Sequence, residues 1–200
     1  MPRIATWDNV LLAHYKAHAG KGRPHRRASS VIAADDTINA ITEELADGGW
    51  KPGPYQSFVV HDPKRRVIHA APMRDRIVHH ALMNHVAPVL ERGAVEQSYA
   101  CRKERGTHAA LQQALRCTRR QAWYLKLDIR KYFDSVDHEI LRGLLRRTLR
   151  ERPLLSMMDH VIGSYATTPG RGIPIGTLTS QYFANYYLDA MDHWTMERLK

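Results

Sequence analysis

The sequence predicts an α+β protein, rich in helix, with one β-hairpin and short further strands. Three observations predict it. Apolar residues recur at three- and four-residue steps in several separate windows, the period of a helix with one buried face. Two β-prone runs, 55–61 and 67–71, flank the polar tip Asp62-Pro63-Lys64-Arg65-Arg66, as in a hairpin. A third apolar run, Tyr124-Leu125-Lys126-Leu127, reads as a short strand that delivers a carboxylate, Asp128, to its end, with Tyr132 and Phe133 following. An apolar content of 44% over 200 residues is enough to bury a core in one domain or two small lobes.

Residues 7–18 read as a helix. A second, over 35–47, carries Ile38, Ile41 and Leu45 on one face behind a cap at Asp35 or Asp36. Between them, Lys21-Gly22-Arg23-Pro24-His25-Arg26-Arg27 contains helix breakers and reads as a basic loop, one that grips a phosphate backbone or only keeps the protein soluble. Trp50-Lys51-Pro52-Gly53-Pro54 is a turn cluster ahead of the hairpin. After Pro72 a helix sets Ile77, Val78, Ala81, Leu82, Val86, Val89 and Leu90 on one apolar stripe, with Arg74, Arg76, His79 and His80 expected largely off it. His79, His80 and His85 are not expected to bind metal, because no carboxylate or thiolate completes a set at helical spacing.

A helix over 107–119 follows the break at Gly106. Asp137 is placed to cap the next helix, with Ile140, Leu141, Leu144, Leu145 and Leu149 expected inward and Arg142, Arg146, Arg147 and Arg150 outward. A helix over 156–165 leads through the glycine-rich turn 168–172. The last helix, 178–199, carries Phe183, Tyr186, Tyr187, Ala190, Met191 and Trp194.

Thirty Lys and Arg against twenty Asp and Glu give a formal charge of +10, a balance that attracts polyanions and above all nucleic acid phosphates. The two cysteines, Cys101 and Cys117, have no CxxC spacing, which points away from a disulfide framework or zinc knuckle and toward a reduced, cytoplasmic setting. The opening Met1-Pro2-Arg3-Ile4-Ala5-Thr6 lacks the pattern of a signal peptide. No apolar run approaches the roughly 20 residues of a membrane span, so no membrane partner is expected.

Phosphoryl transfer depends on divalent cations, held by carboxylates, that neutralise charge on the attacking and leaving oxygens. Asp128 at a strand end, with an aromatic following before a capped helix, suits that chemistry. The residues alone leave two roles open for Phe133: a wall against a nucleotide sugar, or plain core.

Four blocks in order carry a family likeness: Lys64-Arg65-Arg66-Val67-Ile68 with Pro72-Met73-Arg74-Asp75-Arg76-Ile77-Val78; Glu96-Gln97-Ser98-Tyr99-Ala100-Cys101-Arg102 through Gly106-Thr107-His108; the Asp128 run; and the run from Gly172-Ile173-Pro174-Ile175-Gly176 through Thr179-Ser180-Gln181 to Asn185. Over about 55–200 the chain resembles the reverse transcriptases. The resemblance implies the fingers and partial palm of a right-hand polymerase, without a thumb. Its parts would be an N-terminal helical and basic extension (1–54), fingers (55–121), a palm strand with the first metal aspartate (122–135), a helical connection (136–172), and the nucleotide-binding turn with a palm helix (173–200).

By the same resemblance Asp128 is the first catalytic metal-binding aspartate and the Ile129 carbonyl a second oxygen ligand, for Mg2+ or alternatively Mn2+. Phe133 is the gate that excludes a ribose 2′-hydroxyl. Lys64, Arg66 and Arg74 reach triphosphate or template, with Arg65 able to replace its neighbour, and Ile175 and Gly176 form the nucleotide-binding turn. Arg102 and Gln181 contact template. Asp134 and Asp137 are expected to be structural.

The implied partners are an RNA template, a DNA or RNA primer and deoxynucleoside triphosphates. Most family members have Gln where Ile175 stands and Ser-Pro where Ser180-Gln181 stands. This variant resembles the error-prone enzymes of diversity-generating retroelements, whose small basic accessory protein becomes a further implied partner. The aromatic-x-Asp-Asp turn of the family does not occur in the 200 residues. Asp189 and Asp192, three apart on a helix, are poor substitutes, so the chain reads as an N-terminal fragment inactive by itself. The competing readings are a noncatalytic RNA-binding module derived from such an enzyme, and a reverse transcriptase of retron, group II intron or defence type.

Overall fold

A computed structural model describes residues 3–19, 28–61 and 63–198. The basic loop 21–27, hairpin-tip residue Asp62 and the end of the last helix at Leu199 lie outside the described residues, as do Met1 and Pro2. The elements are α1 (Trp7–His18), α2 (Ala28–Asp47), β1 (Gln56–His61), β2 (Arg65–Ala70), α3 (Met73–Glu91), α4 (Thr107–Thr118), the single turn α5 (Tyr132–Ser135), α6 (His138–Thr148), α7 (Arg152–Gly163) and α8 (Leu178–Arg198). The fold is helix-rich α+β, with one two-stranded antiparallel sheet among the described residues.

Helix α3 is the central element. Its buried Ile77, Val78, Ala81, Leu82, Val86 and Leu90 pack against α1, α2 and α8. A polar ladder ties α1 to α3: Lys16 Nζ donates to Asn84 Oδ1 at 2.5 Å, Asn84 Nδ2 to Asn9 Oδ1 at 2.8 Å, and Asn9 Nδ2 to Ala81 O at 3.1 Å. The turn cluster is anchored to the start of α3, because Trp50 Nε1 and Gly53 N donate to the two oxygens of buried Asp75, at 3.2 and 2.7 Å. A buried carboxylate is tolerated where its lone pairs are satisfied in this way. Helix α6 packs on α7 and α8 through Leu141 and Leu145.

Several sequence expectations change. Helix α2 begins at Ala28, so Asp35 and Asp36 lie inside it and neither caps it; nothing in 28–34 breaks a helix. Helix α7 starts at Arg152 and not at 156, because Pro153 sits in its first turn, where the missing N–H costs nothing. Ile140 is 55% exposed, since the inward face of α6 runs through His138, Leu141 and Leu145. Met191 and Trp194 on α8 are likewise exposed. His79, expected off the α3 stripe, is buried edge-on against Trp50, with ring centroids 6.3 Å apart.

The largest difference concerns the run before Asp128. Residues 122–129 form no strand, and Trp123, Tyr124, Leu125 and Leu127 are more than four-fifths exposed. A strand exists only with a hydrogen-bonding neighbour. Among the described residues the one ladder pairs β1 with β2, from Gln56↔Ala70 to His61↔Arg65, and leaves this segment without a partner.

Candidate nucleotide-binding site

Three segments distant in sequence meet at one corner. The turn 172–176 docks on α5 and its exit: Ile173 N donates to Phe133 O at 2.9 Å and Gly172 N to Val136 O at 2.8 Å. His138, buried at the start of α6, adds a contact between its Nε2 and Gly172 O at 2.7 Å, while its backbone N donates to Gly170 O at 2.9 Å. On its other side the turn meets β2, where His69 N donates to Ile175 O at 2.8 Å. Gly176 has φ +113, and a Cβ there would stand 2.5 Å from Ile68 Cγ2, so only glycine lets the hairpin approach this closely.

Asp128 lies at the end of the exposed stretch, followed by a sharp reversal at Lys131, which takes the left-handed conformation at φ 50, ψ 46. That reversal starts α5 and sets Phe133, half-buried and packed against the core, beside Tyr132 with ring centroids 5.8 Å apart. Tyr132 OH donates to Ala184 O at 2.6 Å and locks α5 to α8. Burial first, then the nearby Tyr187 and Asp192, pushes that phenol well above its usual range, which keeps it a donor. Of the two roles open for Phe133, the core contact is observed, and its backbone carbonyl in addition accepts from the turn.

The predicted residues divide by placement. Phe133, Ile175 and Gly176 are brought together, with Ile175 half-buried and Gly176 exposed. Asp128 and Ile129 lie in the exposed stretch just before α5, on the chain segment that leads into Phe133. Lys64 and Arg66 are exposed at the hairpin tip, and Gln181 is exposed on the first turn of α8. Arg74 is ion-paired with Glu44 of α2 and lies 3.8 Å from Asp75, so in this state its guanidinium braces two helices. Arg102 donates from one nitrogen to Val95 O and Ser98 O, both at 2.9 Å, and so holds the loop before α4. Asp137 caps α6 as expected, accepting from Glu139 N and Ile140 N.

Asp128 contributes one carboxylate and Ile129 one carbonyl, hard oxygen donors of the kind Mg2+ or Mn2+ takes. Among the described residues no three His, Cys, Asp or Glu side chains gather into a metal site. The described residues therefore fit a divalent cation only as a partial donor set.

Sequence reasoning passed over His69. Its backbone fixes Ile175, while its ring bridges Ser57 Oγ at 2.8 Å and Tyr165 OH at 3.0 Å, tying hairpin, turn and the end of α7 together. No local signal singles it out: burial along β2 does not alternate, residues 68–70 all being half-buried.

Residues 56–199 match the family described as Reverse transcriptase (RNA-dependent DNA polymerase). The chain belongs to the reverse transcriptase family. Similar curated proteins include Protein YkfC of Escherichia coli (strain K12), 26% identical over 80% of this chain and 46% of its own length. Another is the group II intron-encoded protein LtrA of Lactococcus lactis subsp. cremoris, 24% identical over 95% of this chain and 34% of its own. A chain of the solved "Partial Cas6-RT-Cas1--Cas2 complex" shares the fold with a TM-score of 0.61 at 20% identity, over 95% of this chain and 34% of that one. The chain thus spans less than half the length of these relatives. No helix among the described residues is long and apolar enough to cross a membrane.

Proposed function

We propose that this chain forms the fingers and first part of the palm of an RNA-directed DNA polymerase that adds deoxynucleotides by two-metal phosphoryl transfer. The supporting observation is the corner in which Phe133, the turn 172–176 and β2 are joined by backbone hydrogen bonds. In this reading the divisions are 1–54 as extension, 55–121 as fingers, 122–135 as the palm segment bearing Asp128, 136–172 as connection, and 173–200 as nucleotide turn and palm helix. Bound Mg2+ or Mn2+ would neutralise charge on the phosphoryl oxygens, with Asp128 and the Ile129 carbonyl holding it. Phe133 excludes the 2′-hydroxyl, Lys64 and Arg66 meet triphosphate, and Gln181 faces template. Arg74 and Arg102 would have to leave their present partners to take part.

We infer the error-prone, diversity-generating subtype from Ile175. An apolar side chain offers none of the amide hydrogen bonds by which a Gln could fix the nucleotide and template base, so discrimination falls. A small basic accessory protein belongs to that subtype. The intron-encoded relatives support the family and not this finer assignment.

Primer extension on an RNA template tests the reading. In a polymerase that joins this chain to the absent carboxylate pair, Asp128→Asn should abolish extension and Phe133→Ala should admit ribonucleotides. Ile175→Gln should lower misincorporation opposite adenine, and an unchanged error spectrum would remove the subtype. The 200-residue chain alone should not extend a primed template; robust extension would overturn the partial-palm reading. RNA binding with no extension in the completed enzyme would favour a noncatalytic binding module.

A further inference from the structure

The segment 92–106, between α3 and α4, is a loop that braces itself: Arg102 donates to Val95 O and Ser98 O, and Gly106 N to Tyr99 O at 2.9 Å. Two hydrogen bonds tie it to α8. Asn185 Nδ2 donates to Ala100 O at 2.6 Å, and His193 Nε2 lies 2.7 Å from Gly93 O. Eight residues of helix set these two ties about 12 Å apart along α8. Beside Asn185 the contact is not filled, because a cavity of about 20 Å³ is lined there by Leu90, Ala94, Tyr182 and Tyr186, with Glu91, Arg102 and Asp189 as its charged members. The hydrogen bonds therefore carry much of the hold on the loop.

The His193 ring meets an acceptor at each nitrogen. Nε2 faces the Gly93 carbonyl at 2.7 Å, and Nδ1 lies 3.1 Å from Glu197 Oε1. A carbonyl and a carboxylate only accept, and a neutral imidazole carries one N–H, so only the imidazolium donates to both partners at once. Loss of its proton turns a lone pair toward one of the two oxygens. Asp189 and Glu197 stand one helical turn before and after it, with Asp189 Oδ1 3.8 Å from Nε2, and both carboxylates favour the charged ring. The Gly93 carbonyl first, then Glu197 and Asp189, hold its pKa above the ordinary 6.5. The other charged groups nearby in sequence are Asp192 on α8, Glu91 and Arg92 at the end of α3, and Glu96 in the loop; among the described residues the carboxylates paired with the ring are Asp189 and Glu197.

We propose that His193 is a proton-operated latch: when charged it joins α8 to Gly93 while braced by Glu197, and when neutral it gives up one of these contacts and loosens the loop 92–106. The latch stands independently of the polymerase reading and acts on the loop that Arg102 organises. Because the folded chain binds this proton more tightly than the unfolded one, the contribution of the latch is full below pH 6.5 and is lost as pH rises through the folded value.

The test is a pH titration of the isotope-labelled 200-residue chain by NMR. His193 should titrate above 6.5, with both ring nitrogens protonated below its midpoint and the Gly93 carbonyl carbon shifting at that same midpoint. Glu197→Gln and Asp189→Asn should each lower the midpoint. Hydrogen exchange across 93–106, followed by mass spectrometry, then compares the unaltered chain with His193→Ala at about pH 6 and about pH 8.5, so that the intrinsic pH dependence of exchange cancels. The variant loop should exchange faster at the lower pH, and the gap should narrow at the higher one. His193→Gln, which keeps one donor at every pH, should match the unaltered chain only at the higher pH. A His193 midpoint at or below 6.5, a Gly93 carbonyl indifferent to pH, or the same exchange ratio at both pH values would overturn the latch. Circular dichroism checks that each variant is folded, and the titration of the unaltered chain decides the matter should a variant fail to fold.

Discussion

Replacing Gly176 with Ala probes the joint between the β1–β2 hairpin and the turn 172–176. At φ +113 any side chain is strained, at about 1–3 kcal/mol. The new methyl would also stand 2.5 Å from Ile68 Cγ2, an overlap that forces β2 and the turn apart and costs about 1–3 kcal/mol in shifts. Separation in turn stretches the 2.8 Å bond from His69 N to Ile175 O, worth about 1 kcal/mol. These routes of relief partly replace one another, so the expected loss is about 3 kcal/mol, read as a lower midpoint in equilibrium urea unfolding at unchanged slope. Adding Ile68→Ala removes the overlapping methyl but not the backbone strain. The double variant should then be about 1–2 kcal/mol more stable than the two single losses predict. A Gly176→Ala loss below about 0.5 kcal/mol, or strict additivity with Ile68→Ala, would refute the argument that hairpin and turn are in hard contact.

Asp137→Ala should cost about 1 kcal/mol in the same assay, because the carboxylate satisfies two amides at the start of α6; Asp137→Asn should recover most of it, and equal losses would point instead to the Arg171 contact. Lys131→Gly should stabilise by about 0.5 kcal/mol, since release of left-handed strain slightly exceeds the entropy glycine adds to the unfolded chain; destabilisation would count against the reversal at φ 50. Burial, then His80 and Arg76, lowers the His79 pKa to about 4 from 6.5, so the unfolded chain binds a proton that the folded one refuses. Stability should be full above pH 6.5 and fall by about 3 kcal/mol as pH drops toward 4, and His79→Phe should flatten that part of a pH series of thermal melts.

Helices α1, α3 and α4 were legible almost to the residue, the last two because a local break precedes each: Pro72 before Met73 and Gly106 before Thr107. The hairpin was legible for the same reason. Of the candidate site, the motif blocks mark Asp128, Phe133 and the Ile175–Gly176 turn as candidates, but they do not reveal that Arg74 is engaged with Glu44 and Arg102 with the 95–98 loop. Those partners lie outside the motifs. His79 was misplaced because its burial depends on Trp50, from a different element, covering the side of α3 where it stands.

Chain order alone determined the family, the sign of the charge, the principal buried faces and the cap at Asp137, all properties carried within a few residues or summed over the whole. Tertiary structure decided which pieces touch: that His69 holds Ile175, that Phe133 supports the turn through its carbonyl, and that the apolar run before Asp128 stands exposed without a strand beside it. The physical reason is that a helix satisfies its own hydrogen bonds from residues four apart, whereas strand pairing, turn docking and burial of a polar ring need a partner that local sequence does not name.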